Sequence, residues 1–457
     1  MPVSTPHPEY SAKIHIVEKT RSAIAGLDEQ NGKPFLVQKS GEEDQDFDNR
    51  LKRANYTNYS ARTANGFLGA AFRQSPMIKL DSDLEHLRND IDGKGTDINQ
   101  FAQMIFSEEM EAGRYGLLAE FPETGGELTL EQKKQKNLRS YIAPYPFESI
   151  LNWKTSSVNG REVLTLLVLK EHVFVNDDEF DHEKKTEYRV LRMVDGYYAQ
   201  QRYDADSEAI AGSLKAPRDA AGKLFDHIPF SMIGSKNNLM DIDRPVVADI
   251  AQINIAHYRN SSDHETNLAI HSGATLVIST NMDIDQFKTA NPSGITVGAN
   301  SGILLGSGDK AELLQLEAAS AVSEEMQIKE NRMVQIGAKL ITKTSGNETA
   351  EAARINASSE NSILEVVINN IEEGMISALS DCAIYEGVDP ESITFKMNKD
   401  FWMNKIDPQL AMSLIQFSDM GVMRKADIVT ILQDAELVDK TLSAEEIIAE
   451  ASQESPL

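Results

Sequence analysis

Apolar residues in this chain recur at two periods, and the switch between them divides the sequence. From about residue 139 to about 230, runs rich in β-branched and aromatic residues alternate with polar turns: RSYIAPYPFESILNWK, REVLTLLVLKEHVFV, TEYRVLRMVDGYYAQQRY and HIPFSMIG. That pattern predicts strands. From Arg244 to Gly387 the period lengthens to that of a helix. Three helix-like segments follow one another there, each of some thirty residues or more, or roughly 40–60 Å at about 1.5 Å per residue. The first is RPVVADIAQINIAHYRNSSDHETNLAIHSG and the second is DKAELLQLEAASAVSEEMQIKENRMVQIGAKLI. The third is ETAEAARINASSENSILEVVINNIEEGMISALSDCAIYEG. A β-rich insert (ATLVIST…SGITVG…SGILLG) separates the first two, and a polar break, TKTSGN, separates the last two.

The apolar stripes on these helices are incomplete. Leu364, Val367, Ile368, Ile371, Met375, Leu379 and Cys382 form one continuous stripe on the third, whereas its first half, ETAEAARINASSENS, is small and polar. On the first, Val246, Ile250 and Ile253 give way to Ser261, Ser262, Asp263, His264 and Glu265. A long helix with only part of one face apolar needs a partner, and a ring of identical subunits would supply it.

The flanking regions read less regularly. Residues 1 to about 50 are polar and end in GEEDQDFDN, which predicts a flexible or peripheral arm. Arg50 to Phe72 has a helical pattern with Tyr56, Tyr59, Thr63, Phe67 and Ala70 near one face, closed by Pro76. An amphipathic helix is expected from Ile98 to Glu111, then a short buried strand, YGLLAEF. After Gly387 come a strand-like SITFKMN and a helical tail, with Asp407 as a cap, Pro408 at the first helical position, and SAEEIIAEASQ near the end. The fold class is therefore α+β, mainly helical, without an internal repeat of fixed period.

Bulk composition narrows the class further. At 457 residues, two to four structural units fit, and 41% hydrophobic with 25% charged residues is ordinary for a globular chain. The net charge of −26 argues against a protein that grips nucleic acid. It suits either a solvated acidic surface or a wall past which DNA must slide, and composition does not choose between them. Cys382 is the single cysteine, so neither an internal disulfide nor a cysteine zinc site is expected. No secretory h-region and no run of about 18 apolar residues is present, which leads to an expectation of cytoplasmic synthesis without membrane insertion.

Candidate chemistry fails on spacing. GANSGILLGSGDK (298–310) lacks the Gly-Lys-Ser/Thr of a phosphate loop and the third glycine of a dinucleotide fingerprint. In NDIDGKGTDIN, aligning Gly93 with the glycine of a calcium loop puts Arg88 and Asn99 where carboxylates belong, so an Asx/Gly turn is expected. His257, His264 and His271 recur every seven residues, about 10 Å apart along one helix face, too far for one metal. Core or inter-subunit hydrogen bonding is their ordinary role. Glu324-Glu325 and Glu372-Glu373 read as solvated helix faces, and no nucleophile elbow or HExxH is present. No catalytic residue, metal or cofactor is expected. In the polar break, Ser345 and Glu348 have capping-box spacing and Gly346 supplies backbone freedom, so TKTSGN is a turn or a short loop with Lys343 at its tip.

Several stretches, in this order, resemble the tailed-bacteriophage portal family: ARTANGFLGAAFRQSP, DIDGKGTDINQF, EAGRYGLLAEFPETGG, YIAPYPFESILNWK, LTLLVLKEH, YRVLRMVDGYY, HIPFSMIG and RPVVADIAQINIAHYRNSSDHE. They span about residues 50 to 390. None is a catalytic motif, and their order carries the resemblance. It implies the portal fold: an α/β wing, a two-helix stem, a small β-containing clip, a tunnel loop, a long wing helix and a helical crown. By position, the N-terminal arm would be 1–50, the wing 51–243 and the stem helices 244–272 and 309–341 around a clip at 273–308. The tunnel loop would be 342–348, the long helix 349–387, the wing strand region 388–406, and a short crown and tail 407–457. The implied assembly is a ring, usually of twelve subunits, at one capsid vertex of the virion, put together in the host bacterial cytoplasm. Its implied partners are double-stranded DNA in the channel, the terminase large subunit, the major capsid protein with scaffold, and a tail adaptor. The implied DNA-channel residues are Thr342, Lys343, Thr344, Ser345, Gly346 and Asn347, with Lys339 as a further channel cation. The competing expectations are a soluble oligomeric enzyme with a helical assembly domain and a smaller connector or adaptor.

Overall fold

The computed structural model describes the chain apart from residues 123–135, 137, 159, 176–182, 273–274, 291–307, 315–319, 338–349, 400–415, 417–419, 421–422, 435–437, 439–441 and 454–457. In chain order the elements are α1 (Pro8–Ala25), α2 (Asp44–Arg53), α3 (Tyr59–Ala71), β1 (Met77–Lys79), α4 (His86–Asn89), α5 (Ile98–Glu111), β2 (Arg114–Glu120) and β3 (Tyr141–Pro146). Next come β4 (Ile150–Val158), β5 (Arg161–Val175), β6 (Glu183–Val194), β7 (Tyr197–Tyr203), β8 (Phe230–Gly234), α6 (Ala248–Ser272), β9 (Thr275–Ser279) and α7 (Ile284–Ala290). The chain ends with β10 (Lys310–Leu314), α8 (Ser320–Ile336), α9 (Ala350–Glu386), β11 (Thr394–Lys396), α10 (Lys425–Asp434) and α11 (Ala444–Gln453). This is a mixed α+β fold, mainly helical among the described residues.

The body is built where both periods meet. Ile98, Phe101, Ala102, Ile105, Phe106 and Met110 follow helical spacing on α5 and are all fully buried. Asp97 starts that helix by accepting from the amides of Asn99 and Gln100. The antiparallel sheet β3-β2-β8 lies against α5 and against α9. Its central strand is buried along nearly its whole length, as a strand covered on both faces must be. The whole stripe Leu364, Val367, Ile368, Ile371, Met375, Leu379 and Cys382 is fully buried in the same core. A second sheet, the meander β4-β5-β6-β7, continues from it, and the short pair β1–β11 ties residues 77–79 to 394–396.

Four expectations need correction. Residues 1 to 50 are not a loose arm: α1 buries Val17, Thr20 and Ala23, and α2 buries Phe47, Arg50 and Leu51. The helical pattern from Arg50 to Phe72 is two helices, because Asn58 turns its side chain back to cap Ala61 and starts α3 afresh. The second long segment is not helical from its start. Residues 310–314 pair antiparallel with 275–279, so strand pairing there overrides the strong intrinsic helix preference of KAELL. Among the described residues only α9, at 37 residues, exceeds thirty; α6 has 25 and α8 has 17. The cap Asp407 and Pro408 lie outside the described residues.

Candidate functional site

Two helices, α6 and α8, pack along each other as a pair. α6 enters from Arg244–Val247, β9 and β10 close the pair as an antiparallel ladder, and α8 returns along α6. His257 of α6 is buried, with Nε2 3.1 Å from Glu330 Oε1 of α8. Near the end of α8 the two helices nearly touch. A Cβ on Gly337 would stand 2.8 Å from the Ile250 side chain of α6 and from the Thr63 side chain of α3, so a larger residue there would have to displace them. His264 is only partly buried, and the side chain of His271 lies outside the described residues.

The polar end of the α6 stripe does not wait for a second chain. Ser261 and Ser262 are buried, and their partners come from the N-terminal segment. Ser261 Oγ donates to Asn55 O at 2.7 Å, and Arg50 donates to Ser262 Oγ at 3.1 Å. Arg50 also binds both carboxylate oxygens of Glu42, at 2.8 and 2.9 Å, and Val37 O at 2.7 Å. That fork holds the Glu42 carboxyl down at about 2. About two turns away, Asn254 accepts from Tyr56 and Ser60 and donates to Thr57 O. The neighbour-facing reading of Ser261 and Ser262 is therefore corrected: α1, α2 and the 54–58 link clasp α6 within one chain.

The joint between body and pair buries two ionisable groups, Glu109 and Arg114. Glu109, at the end of α5, is fully buried with no hydrogen-bond partner for either oxygen. Burial pushes its carboxyl well above the usual range, and Asp243 and Glu108 add to the shift. Arg114 opens β2 nearby. Its guanidinium lies 4.0 Å from the Trp153 ring, its Nε approaches Met232 Sδ at 3.2 Å, and burial lowers it to about 9. The intervening Gly113 is left-handed, and its Cβ position would fall 2.8 Å from the Arg244 backbone where the pair begins. Its carbonyl accepts from Ser235 N, and Met110 O accepts from Val247 N.

Other motifs settle into structural roles. Asp92 accepts from the amides of Lys94 and Thr96 and from the Thr96 hydroxyl, and Asp90 from Gly95 N, which makes the 90–97 stretch the expected Asx/Gly turn. Glu372 departs from the solvated reading: it accepts from Met397 N at 2.6 Å and Lys399 Nζ at 2.8 Å and so ties the segment after β11 to α9. Cys382 is buried, and burial raises its thiol. Among the described residues no group of three or more His, Cys, Asp or Glu is placed to hold a metal, and no helix is long and apolar enough to cross a membrane. Thr342, Lys343, Thr344, Ser345, Gly346, Asn347 and Lys339 all lie outside the described residues. Sequence reasoning missed the Arg50–Glu42–Ser262 clasp. Its only signal was an arginine at helical spacing from Phe47.

An α+β body bearing a helical pair is the class that fold and site define. Residues 246–385, which comprise this pair and α9, match a family described as a domain of unknown function (DUF4055). No curated protein matches the chain. Among solved structures, the chain is similar to one titled as the virion of a native gene transfer agent particle, at 12% identity and a TM-score of 0.42, covering 82% of this chain and 89% of that one. It is also similar to the neck of a native gene transfer agent particle computed with C12 symmetry, at 13% identity and a TM-score of 0.40, covering 82% and 89%. A third is an HK97-family phage portal protein from Corynebacterium diphtheriae, at 10% identity and a TM-score of 0.36, covering 78% of this chain and all of that one.

Proposed function

We propose that this chain is the subunit of a phage portal ring, the channel at one capsid vertex through which DNA is packaged and ejected. One observation carries the reading: the order of elements along 248–386. A helix, an antiparallel strand pair, a returning helix and then a 37-residue helix follow one another as stem, clip, stem and long wing helix would. The ordered resemblance along residues 50 to 390 supports the same assignment. In this reading the body is the wing, α10 and α11 belong to a short crown, and the first fifty residues clasp the stem. The ring, of about twelve copies by the family habit, meets the terminase large subunit, the major capsid protein with scaffold, and a tail adaptor. It works without a cofactor and without catalysis.

The tunnel loop of this reading is 342–348, with Lys343 and Lys339 as isolated cations beside DNA and acidic side chains over much of the remaining wall. A strongly basic wall would hold phosphate and retard sliding, because each neutralised phosphate releases counterions and tightens binding. Negative-stain microscopy with native mass spectrometry of the purified chain tests the proposal. Closed rings with a central hole are expected; a compact monomer or dimer under all conditions overturns it.

A further inference from the structure

Between α1 and α6 lies a cleft of about 390 Å³. Its apolar floor is formed by Ile16, Phe35 and Ile255, and Lys19, Arg244 and Arg259 stand around it. No carboxylate lines it, in a chain whose net charge is −26. Arg259 is held in place by Nε donation to Phe35 O at 2.7 Å, while Arg244 pairs with Asp249. Lys19 is exposed. Duplex DNA does not enter a cleft of this size, and the apolar floor calls for apolar side chains rather than phosphate alone.

A complementary surface lies on the other flank of the same helical pair. Ile250 and His257 of α6 face α8, whereas Ala248, Ala251, Gln252, Ile255 and Arg259 face the cleft. At 100° per residue these two faces of α6 are about 165° apart. On α8, Glu330 and Gly337 turn toward α6, with Met333 buried beside them. The opposite stripe, Glu324, Ile328, Asn331 and Gln335, is exposed. Ile328 is 43% exposed, a large apolar group on an otherwise polar stripe beside the carboxylate of Glu324.

We infer that the outer stripe of α8 in one copy seats in the α1–α6 cleft of the next. Ile328 then covers the apolar floor, and Glu324 meets Lys19 and Arg259. Donor and acceptor surfaces lie on opposite flanks of one element, so the contact is head-to-tail and closes only by going round a ring. The inference rests on the ring reading above and specifies its subunit contact.

Charge reversal in the full-length chain tests it. Lys19→Glu and Glu324→Lys alone are each expected to lower the assembled fraction at least tenfold at low salt, and the two together to restore it. Ile328→Glu is expected to abolish assembly. Thermal melts by circular dichroism establish that each variant folds, since all three positions are exposed. A second measurement needs no disruption of the contact. With Lys19→Cys and Ile328→Cys in one chain, mild oxidation should give an intermolecular ladder on denaturing gels, Cys382 being buried and silent. If wild-type chains form rings but the reversals and Ile328→Glu leave them intact and no ladder appears, this contact is wrong and the ring reading stands. If wild-type chains never form rings, both fall.

Discussion

Glu109 is the residue whose environment is hardest to reconcile with an ordinary carboxylate. It is fully buried, neither oxygen has a hydrogen-bond partner, and Asp243 and Glu108 oppose its ionisation while Arg114 favours it. A buried charge without partners is far costlier than a buried neutral acid, so the folded chain keeps the proton. The unfolded chain loses it near the ordinary glutamate value of 4.5. Below that pH both states are protonated and Glu109 contributes no pH dependence. Above it the unfolded state sheds a proton that the folded state retains, so stability falls as pH rises toward the raised folded value, by at most about 1.4 kcal/mol per pH unit. Glu109→Gln keeps the shape and removes the titration. Its stability relative to wild type should therefore increase as pH rises over the range above about 4.5 in paired thermal melts. A difference that stays constant across that range would show that Glu109 is ionised in the folded chain. His227 is the converse case. Asp381, at 2.8 Å, and Asp226, at 2.9 Å, raise it to about 9, so its contribution is full below the unfolded value near 6.5 and is lost as pH climbs through 9.

At the scale of elements, two helical glycines separate packing from propensity. Gly374 of α9 sits where a Cβ would fall 2.3 Å from Cγ1 of Ile233, a fully buried residue of β8. Alanine there gains about 1 kcal/mol of helix propensity. It also forces overlap in a filled core, which typically costs about 1–3 kcal/mol. The larger effect wins, and Gly374→Ala is expected to destabilise. Gly69 of α3 has nothing within 4 Å of its Cβ position, so Gly69→Ala meets no such penalty and should stabilise by up to about 1 kcal/mol. Urea unfolding of both variants checks the opposite signs; equal signs would mean that α9 does not lie this close to β8. The same contrast explains what the sequence made legible. The stripe from Leu364 to Cys382 and the α5 face from Ile98 to Met110 announce themselves because burial there is apolar and periodic. The clasp on α6 was hidden because its buried residues are Arg50, Ser261, Ser262 and Asn254, whose partners lie some two hundred positions away in sequence. No local period encodes such a pairing. Strand β10 was hidden for a related reason: KAELL becomes a strand only because residues 275–279 lie beside it.

For the whole molecule, the charge of −26 per chain sets how a portal ring, as proposed above, would meet DNA. Such a ring would multiply that charge, and its field would reach only about 8 Å at physiological ionic strength but about 30 Å at 0.01 M. Linear duplex DNA in bulk solution should therefore be repelled at low salt, the reverse of ordinary nucleic-acid-binding proteins, whose affinity falls as salt rises. Within a channel the few cations matter more than the sum, and Lys343 is the residue placed by resemblance at the loop tip. Filter binding of purified rings to linear duplex DNA from 0.01 to 0.2 M salt separates the two levels. Wild-type rings should retain little DNA, with a shallow salt slope, and Lys343→Glu should flatten the remaining slope. Lys343→Ala should lie between them, since each phosphate contact contributes about 0.9 to that slope. Tight binding that weakens steeply with salt would instead reveal a basic surface that the composition conceals, and it would overturn the picture of an acidic wall with isolated cations. A slope unmoved by Lys343→Glu would take the 342–348 loop away from the DNA while leaving the ring in place.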